Sequence, residues 1–178
     1  MSFNRFALSV FTNVRLSNVA SSQSRNASSI KDLVTIEKLF KPNEVTVNTT
    51  EALKDKVTAI YFTAGWCPSC RPFTNKLKRF YDKINKEKHQ LEVIFVSLDK
   101  TPEDMLEYYD EKMSKWLIMP YNMDHVKALR QECGVSTIPA LKVVKSDGTI
   151  VIDNARTEVD EKGSDAEALF AEWKKLTN

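Results

Sequence analysis

The sequence predicts an α/β fold in which a central mixed β-sheet is flanked by helices, and three observations predict it. The first is a β-α-β pattern. Val57-Thr58-Ala59-Ile60-Tyr61-Phe62 is an apolar run of buried-strand type, and Leu91–Ser97 is a second one. Between them Phe73, Leu77, Phe80, Tyr81 and Ile84 recur at helical spacing, so the two strands are expected as parallel neighbours joined by a right-handed crossover. The second is a hairpin pattern: Val135–Val144, a Ser146-Asp147-Gly148 turn, then Thr149–Asp153, which makes the sheet mixed. The third is a pair of cysteines, Cys67-Pro68-Ser69-Cys70, at the junction between the first strand and its helix.

The remaining elements follow in order. Leu33 to Leu39 has the spacing of a short helix, Lys41-Pro42-Asn43 breaks it, and Glu44–Asn48 is expected as a short strand. The helix after the cysteines is expected to run to about Glu87, with Pro72 removing one early helical hydrogen bond. Thr101-Pro102-Glu103-Asp104 is a helix start, with a Thr cap, Pro in the first turn and acids near the positive end, and that helix reaches about Lys112. Trp116 to Tyr121 is expected as an irregular apolar connection. A helix over 123–133, with Val126, Leu129 and Cys133 inward, then stops at Gly134. Ser164-Asp165-Ala166-Glu167 has capping-box spacing for a last helix whose buried side is Leu169, Phe170, Trp173 and Leu176. There is no internal repeat and no linker within 33–178, so residues 32–178 are expected as one domain.

Residues 1–31 differ in composition from the rest. They hold eight serines, Arg5, Arg15, Arg25 and Lys31, and no acid. Phe3, Phe6, Val10, Val14 and Leu16 can share one helical face. This is the composition of a mitochondrial presequence, and the alternative is a disordered polar tail on a cytoplasmic protein. Without that segment, 22 basic residues face 24 acidic ones, a net charge of −2 with nothing resembling a nucleic-acid footprint. No apolar run is long enough to span a bilayer. With 178 residues and 42% hydrophobic composition, the chain suffices for one core of ordinary size.

Three cysteines do not make the framework of a small secreted domain. A close pair plus Cys133 fits a reducing compartment, where such a pair is catalytic or metal-binding. The only histidines, His89 and His125, stand near no other ligand in sequence, so no metal site and no cofactor are expected. Cys67 falls near the amino end of a helix, where unpaired N–H groups and the dipole favour a thiolate. Cys70, one turn on, is close enough to close a disulfide with it. Together they have the geometry of a dithiol switch.

Four stretches carry a family resemblance: Tyr61 to Arg71, Phe80-Tyr81, Lys115 to Tyr121, and Gly134-Val135-Ser136-Thr137-Ile138-Pro139. The chain resembles the thioredoxin fold and, within it, the tryparedoxin and nucleoredoxin group, whose Trp…Pro-Tyr connection ordinary thioredoxins lack. The group's centre is similar to Cys-Pro-Pro-Cys, so Ser69 is a departure that adds a hydroxyl and an N–H beside the pair. Tyr61 stands where ordinary thioredoxins have a buried acid thought to move protons for the second cysteine.

The resemblance implies Cys67 as nucleophile and Cys70 as the resolving thiol. It implies a cis Ile138–Pro139 bond that exposes backbone groups of Ile138 for pairing with an extended substrate. Trp66 and Pro68 belong to the same docking surface, and Arg71 is a candidate to stabilise the thiolate. The expected activity is thiol–disulfide exchange on disulfide-containing protein substrates, by a monomer supplied with electrons from a reductase or a small dithiol. A binding module or redox sensor that uses this surface without turnover remains the alternative, and a soft-metal carrier is a third reading. Cys133 is expected as a small buried apolar residue, and Trp116 and Tyr121 as local core.

Overall fold

The computed structural model describes residues 30–35, 38–41 and 46–177. Residues 1–29 of the expected presequence therefore lie outside the described residues, as do 44–45 of the expected first strand. Seven helices and five strands are described: α1 (Ile30–Thr35), α2 (Thr49–Leu53), β1 (Val57–Thr63), α3 (Cys70–Ile84), β2 (Leu91–Ser97), α4 (Pro102–Lys112), β3 (Leu117–Ile118), α5 (Met123–Glu132), β4 (Ala140–Val144), β5 (Ile150–Ile152), α6 (Ala155–Lys162) and α7 (Ala166–Thr177).

The strands form one sheet in the order β3-β2-β1-β4-β5. β1 runs parallel to β2, from Val57 opposite Leu91 to Thr63 opposite Ser97, and β2 runs parallel to β3. β4 is antiparallel to β1, and β5 to β4, which makes the sheet mixed as expected. All seven residues of β1 are buried, because both faces of the sheet are covered. Val57, Ala59 and Tyr61 enter one core with the apolar sides of α3, α4, α6 and α7. Ile60 and Phe62 enter the other, with Ile30 and Leu33 of α1 and Val126 and Leu129 of α5. The predicted inner face of α3, from Phe73 to Ile84, is buried throughout.

The structure corrects several local expectations. The first helix spans Ile30–Thr35 rather than 33–39. Phe40 instead pairs with Ile118 through two backbone hydrogen bonds of 3.1 and 2.8 Å, which keeps the chain extended there at the sheet edge. Residues 46–48 are not a strand, since Asn48 caps α2 by accepting from the Glu51 N–H. Leu117–Ile118, read as irregular, is the edge strand β3. β4 starts at Ala140 and not at Val135, because the cis Ile138–Pro139 bond turns the chain just before it. The helix after the cysteines ends at Ile84, earlier than Glu87, where Asn85 Oδ1 accepts from the N–H groups of Gln90 and Leu91 and turns the chain into β2. Pro72 is the third residue of α3, where an N–H has no intrahelical acceptor, so it removes no ladder bond. The last helix is capped by Asp165, which accepts from the Ala168 N–H, and not by Ser164. Leu176 is 49% exposed rather than inward. Helices α2 and α6 were not expected.

Gly134 ends α5 as predicted. It takes φ +61°, its N–H donates to the Gln131 carbonyl, and the Val135 N–H donates to that of Arg130. Those two bonds are the Schellman closure, for which glycine carries no Cβ penalty.

Candidate active site

The cysteines lie just past the carboxyl end of β1, in the turn that feeds α3. The Cys67 N–H donates to the Ala64 carbonyl and the Cys70 N–H to the Cys67 carbonyl, each at 3.2 Å. Cys70 is the first residue of α3. Cys67 precedes it by one tight turn, outside the helix and close to its unpaired N–H groups. The two are joined as a disulfide with Cα atoms 5.3 Å apart, and both are buried.

Ser69 holds the N-cap position of α3 but makes no side-chain cap bond. Its Oγ lies 3.4 Å from Cys67 Sγ instead. The hydroxyl therefore faces the sulfur rather than the helix backbone. From the other side, the Ile138 carbonyl oxygen lies 3.8 Å from Cys67 Sγ, set there by the cis bond to Pro139. Ala64, Cys67 and Cys70 form a small apolar cluster with Leu98 and Ile138 packed against it.

Trp66 is 58% exposed, which is not core filling. Its Nε1–H donates to the Leu98 carbonyl at 3.1 Å, fixing the ring at the carboxyl end of β2. The same strand end supplies Asp99, buried, whose Oδ1 accepts from the Gly65 N–H and whose Oδ2 accepts from the Ser97 hydroxyl, both at 2.8 Å. Gly65 is packed so closely that a Cβ there would stand 3.1 Å from Tyr108. The turn carrying Trp66 and Cys67 is thus tied to β2 at two points.

The Arg71 side chain is taken up by the Gly65 turn and by α4. Its Nε–H donates to the Gly65 carbonyl at 3.2 Å, its Nη1 meets Glu111 at 3.3 Å, and its guanidinium lies 5.8 Å from the centre of the Tyr108 ring. Glu111 is held below the usual carboxylate range, first by Lys112 and then by Arg71. Both partners of the Arg71–Glu111 pair are about half exposed, so the pair is screened and worth little to stability. Gly65, Trp66, Arg71, Asp99, Tyr108 and Glu111 contribute to an open groove of about 360 Å³ beside the dithiol.

Beneath the cysteines lies a buried hydroxyl cluster. Thr74 Oγ1 is 2.9 Å from the Cys70 carbonyl oxygen, 2.8 Å from Tyr61 Oη and 2.9 Å from Tyr108 Oη. Thr63 Oγ1 is 3.3 Å from Tyr108 Oη. Burial pushes the Tyr61 phenol well above its ordinary value, so it is protonated and cannot replace an acid that gives up its proton near neutral pH. Sequence reasoning missed Thr74, Thr63 and Tyr108. Thr74 had a usable signal, a polar residue four positions after Cys70 on the apolar face of an amphipathic helix, whereas Tyr108 comes from another element with none.

Cys133 is buried at the end of α5, and burial pushes its thiol up to about 12, with the Glu132 charge second. Trp116 is fully buried and stacks edgewise on Tyr61, while Tyr121 is half-buried with its hydroxyl on the Lys100 carbonyl. His89 sits at the opposite end of the sheet, 3.2 Å from Glu92. Among the described residues, no three His, Cys, Asp or Glu side chains converge as a metal site would need.

Comparison with known proteins agrees with this geometry. A family model described as Thioredoxin-like matches residues 55–150. Tryparedoxin of Trypanosoma brucei brucei is 37% identical over 125 residues, which cover 69% of this chain and 83% of that one. Nucleoredoxin of Danio rerio is 31% identical over 122 residues, 68% of this chain and only 28% of that protein. Among solved structures, native tryparedoxin I of Crithidia fasciculata superposes with a TM-score of 0.66 at 33% identity, covering 76% of this chain and 93% of that one. On its fold, its cysteine pair and these relatives, the chain belongs to the thioredoxin-like family, with tryparedoxins and nucleoredoxins as its relatives.

Proposed function

We propose that this protein reduces disulfides of protein substrates by dithiol exchange through Cys67 and Cys70. The observation that carries the reading is the setting of Cys67, between the Ser69 hydroxyl and the Ile138 carbonyl at the mouth of a β1–α3 junction. In the reduced protein, the Cys67 thiolate attacks one sulfur of the substrate disulfide. That S–S bond breaks, the departing sulfur takes a proton from water, and a Cys67–substrate disulfide forms. Cys70 then loses its proton and attacks Cys67 Sγ, and the second substrate sulfur leaves as a thiol. Two electrons have passed to the substrate and the Cys67–Cys70 disulfide is restored. A reductase or a small dithiol returns the protein to its reduced form.

Trp66, Pro68, Ile138 and Pro139 serve as the docking surface in this reading. The exposed indole beside the Ile138 backbone suits an extended peptide added as a short strand. Arg71 acts on the turn through the Gly65 carbonyl rather than on the sulfur itself. The segment ahead of the buried Ile30, up to residue 29, acts as a mitochondrial targeting segment, supported by its Arg- and Ser-rich, acid-free composition. A reporter fused to residues 1–30 is expected in mitochondria, and a diffuse cytosolic signal contradicts that part.

An insulin-reduction assay with dithiothreitol tests the activity. The parent chain is expected to turn over, and Cys67→Ser to fall to the uncatalysed rate. A parent chain that binds disulfide-bearing proteins without reducing them makes it a binding module.

A further inference from the structure

We propose that Thr74 is a positioning residue for the dithiol, its hydroxyl anchored by Tyr61 and Tyr108 and clamping the Cys70 carbonyl to hold the first turn of α3 beneath the sulfurs. This rests on the dithiol reading above. The start of α3 needs an anchor because its own N-cap supplies none: the Ser69 side chain makes no cap bond and faces Cys67 Sγ. A first turn without a cap frays, and here fraying moves Cys70 relative to Cys67.

The proton arrangement at Thr74 follows from chemistry alone. A carbonyl oxygen only accepts, so at 2.9 Å the Thr74 hydroxyl donates to Cys70. That uses its one proton. Tyr61, at 2.8 Å, and Tyr108, at 2.9 Å, must then both donate to the two lone pairs of Thr74. Tyr108 in turn accepts from Thr63. A threonine bonding back to the carbonyl four residues before it is a common local habit of helices. What distinguishes Thr74 is that phenols from β1 and α4 fill its remaining capacity inside the core, so the bond to Cys70 is braced by two other elements.

The consequence lies in ring closure. Forming the Cys67–Cys70 disulfide requires the two sulfurs to meet, and a fixed first turn has already given up the freedom that closure removes. Loosening it disfavours the disulfide relative to the dithiol and slows attack of Cys70 on a mixed disulfide.

The test is the thiol–disulfide equilibrium of the purified chain with glutathione, quenched by alkylation and read on chains whose circular dichroism matches the parent's. Thr74→Val keeps the shape and removes all three bonds. Its constant for disulfide formation is expected to fall about tenfold, about 30 mV toward a less negative potential. Thr74→Ser keeps the hydroxyl and is expected within about twofold of the parent. A Thr74→Val chain that matches the parent, or a Thr74→Ser chain as impaired as Thr74→Val, overturns the proposal. Should Thr74→Val not fold, Tyr61→Phe with Tyr108→Phe decides. The Thr74–Cys70 bond remains there without its braces, a fall of about threefold is expected, and the parental constant overturns the proposal. A parent chain that forms no Cys67–Cys70 disulfide with glutathione refutes the dithiol reading itself, which is a separate result.

Discussion

At Ser69 a hydroxyl that could cap a helix stands against a sulfur instead, 3.4 Å from Cys67 Sγ. A donor aimed at a thiolate stabilises the charged form and lowers its pKa. Ser69→Ala is therefore expected to shift the pH midpoint of Cys67 alkylation upward and to slow reaction below it. The pH dependence of alkylation at Cys67 reads this, and an unchanged midpoint contradicts it. Cys133 obeys the opposite physics. Burial raises its thiol from the ordinary 9.0 to about 12, so the folded chain binds a proton that the unfolded chain loses first. Its contribution to stability is fully present below about pH 9 and is lost as pH rises through about 12. Cys133→Val fills the same space without a titrating group. Urea midpoints are expected to match the parent at pH 7 and to exceed it at pH 10.5, and a parental midpoint at pH 10.5 argues against this account.

At the scale of elements, legibility followed amphipathicity. β1, β2 and α3 were readable because their apolar residues repeat with one period and all end up buried. Helix α6 was not, since among ARTEVDEK only Ala155 and Val159 are buried, a single i, i+4 contact that gives no stripe. Helix α2 spans five residues and depends on the Asn48 cap rather than on periodicity. β3 is two residues long and exists because β2 and Phe40 offer backbone partners, which no local pattern can reveal. Leu176 illustrates the reverse error, an apolar residue on a helical stripe that the end of α7 leaves in water. The contrast is measurable. Phe80 is buried with its ring centre 5.1 Å from that of Trp173, so Phe80→Ala is expected to cost about 3–5 kcal/mol in urea unfolding. Leu176→Ala is expected within about 0.5 kcal/mol of the parent. Equal losses at the two sites would contradict the assignment of α7's buried side.

For the whole molecule, the sheet order brings the site together from distant parts of the chain. β1 delivers Cys67, β2 next to it supplies Leu98 and Asp99, and β4 on its other side brings Ile138 and Pro139 across from the sulfurs. The cysteine pair and the Ile-Pro were visible in sequence because each is a local motif. The hydroxyl cluster under Cys70 was not, because Tyr61, Thr74 and Tyr108 meet only after three elements have packed. Division of labour between the two cysteines is the central claim, and covalent trapping tests it most directly. With Cys70→Ser, incubated with an oxidised protein substrate and resolved without reductant, a mixed disulfide through Cys67 is predicted to accumulate, mapped by peptide mass. No adduct, or an adduct through Cys133, would contradict the account.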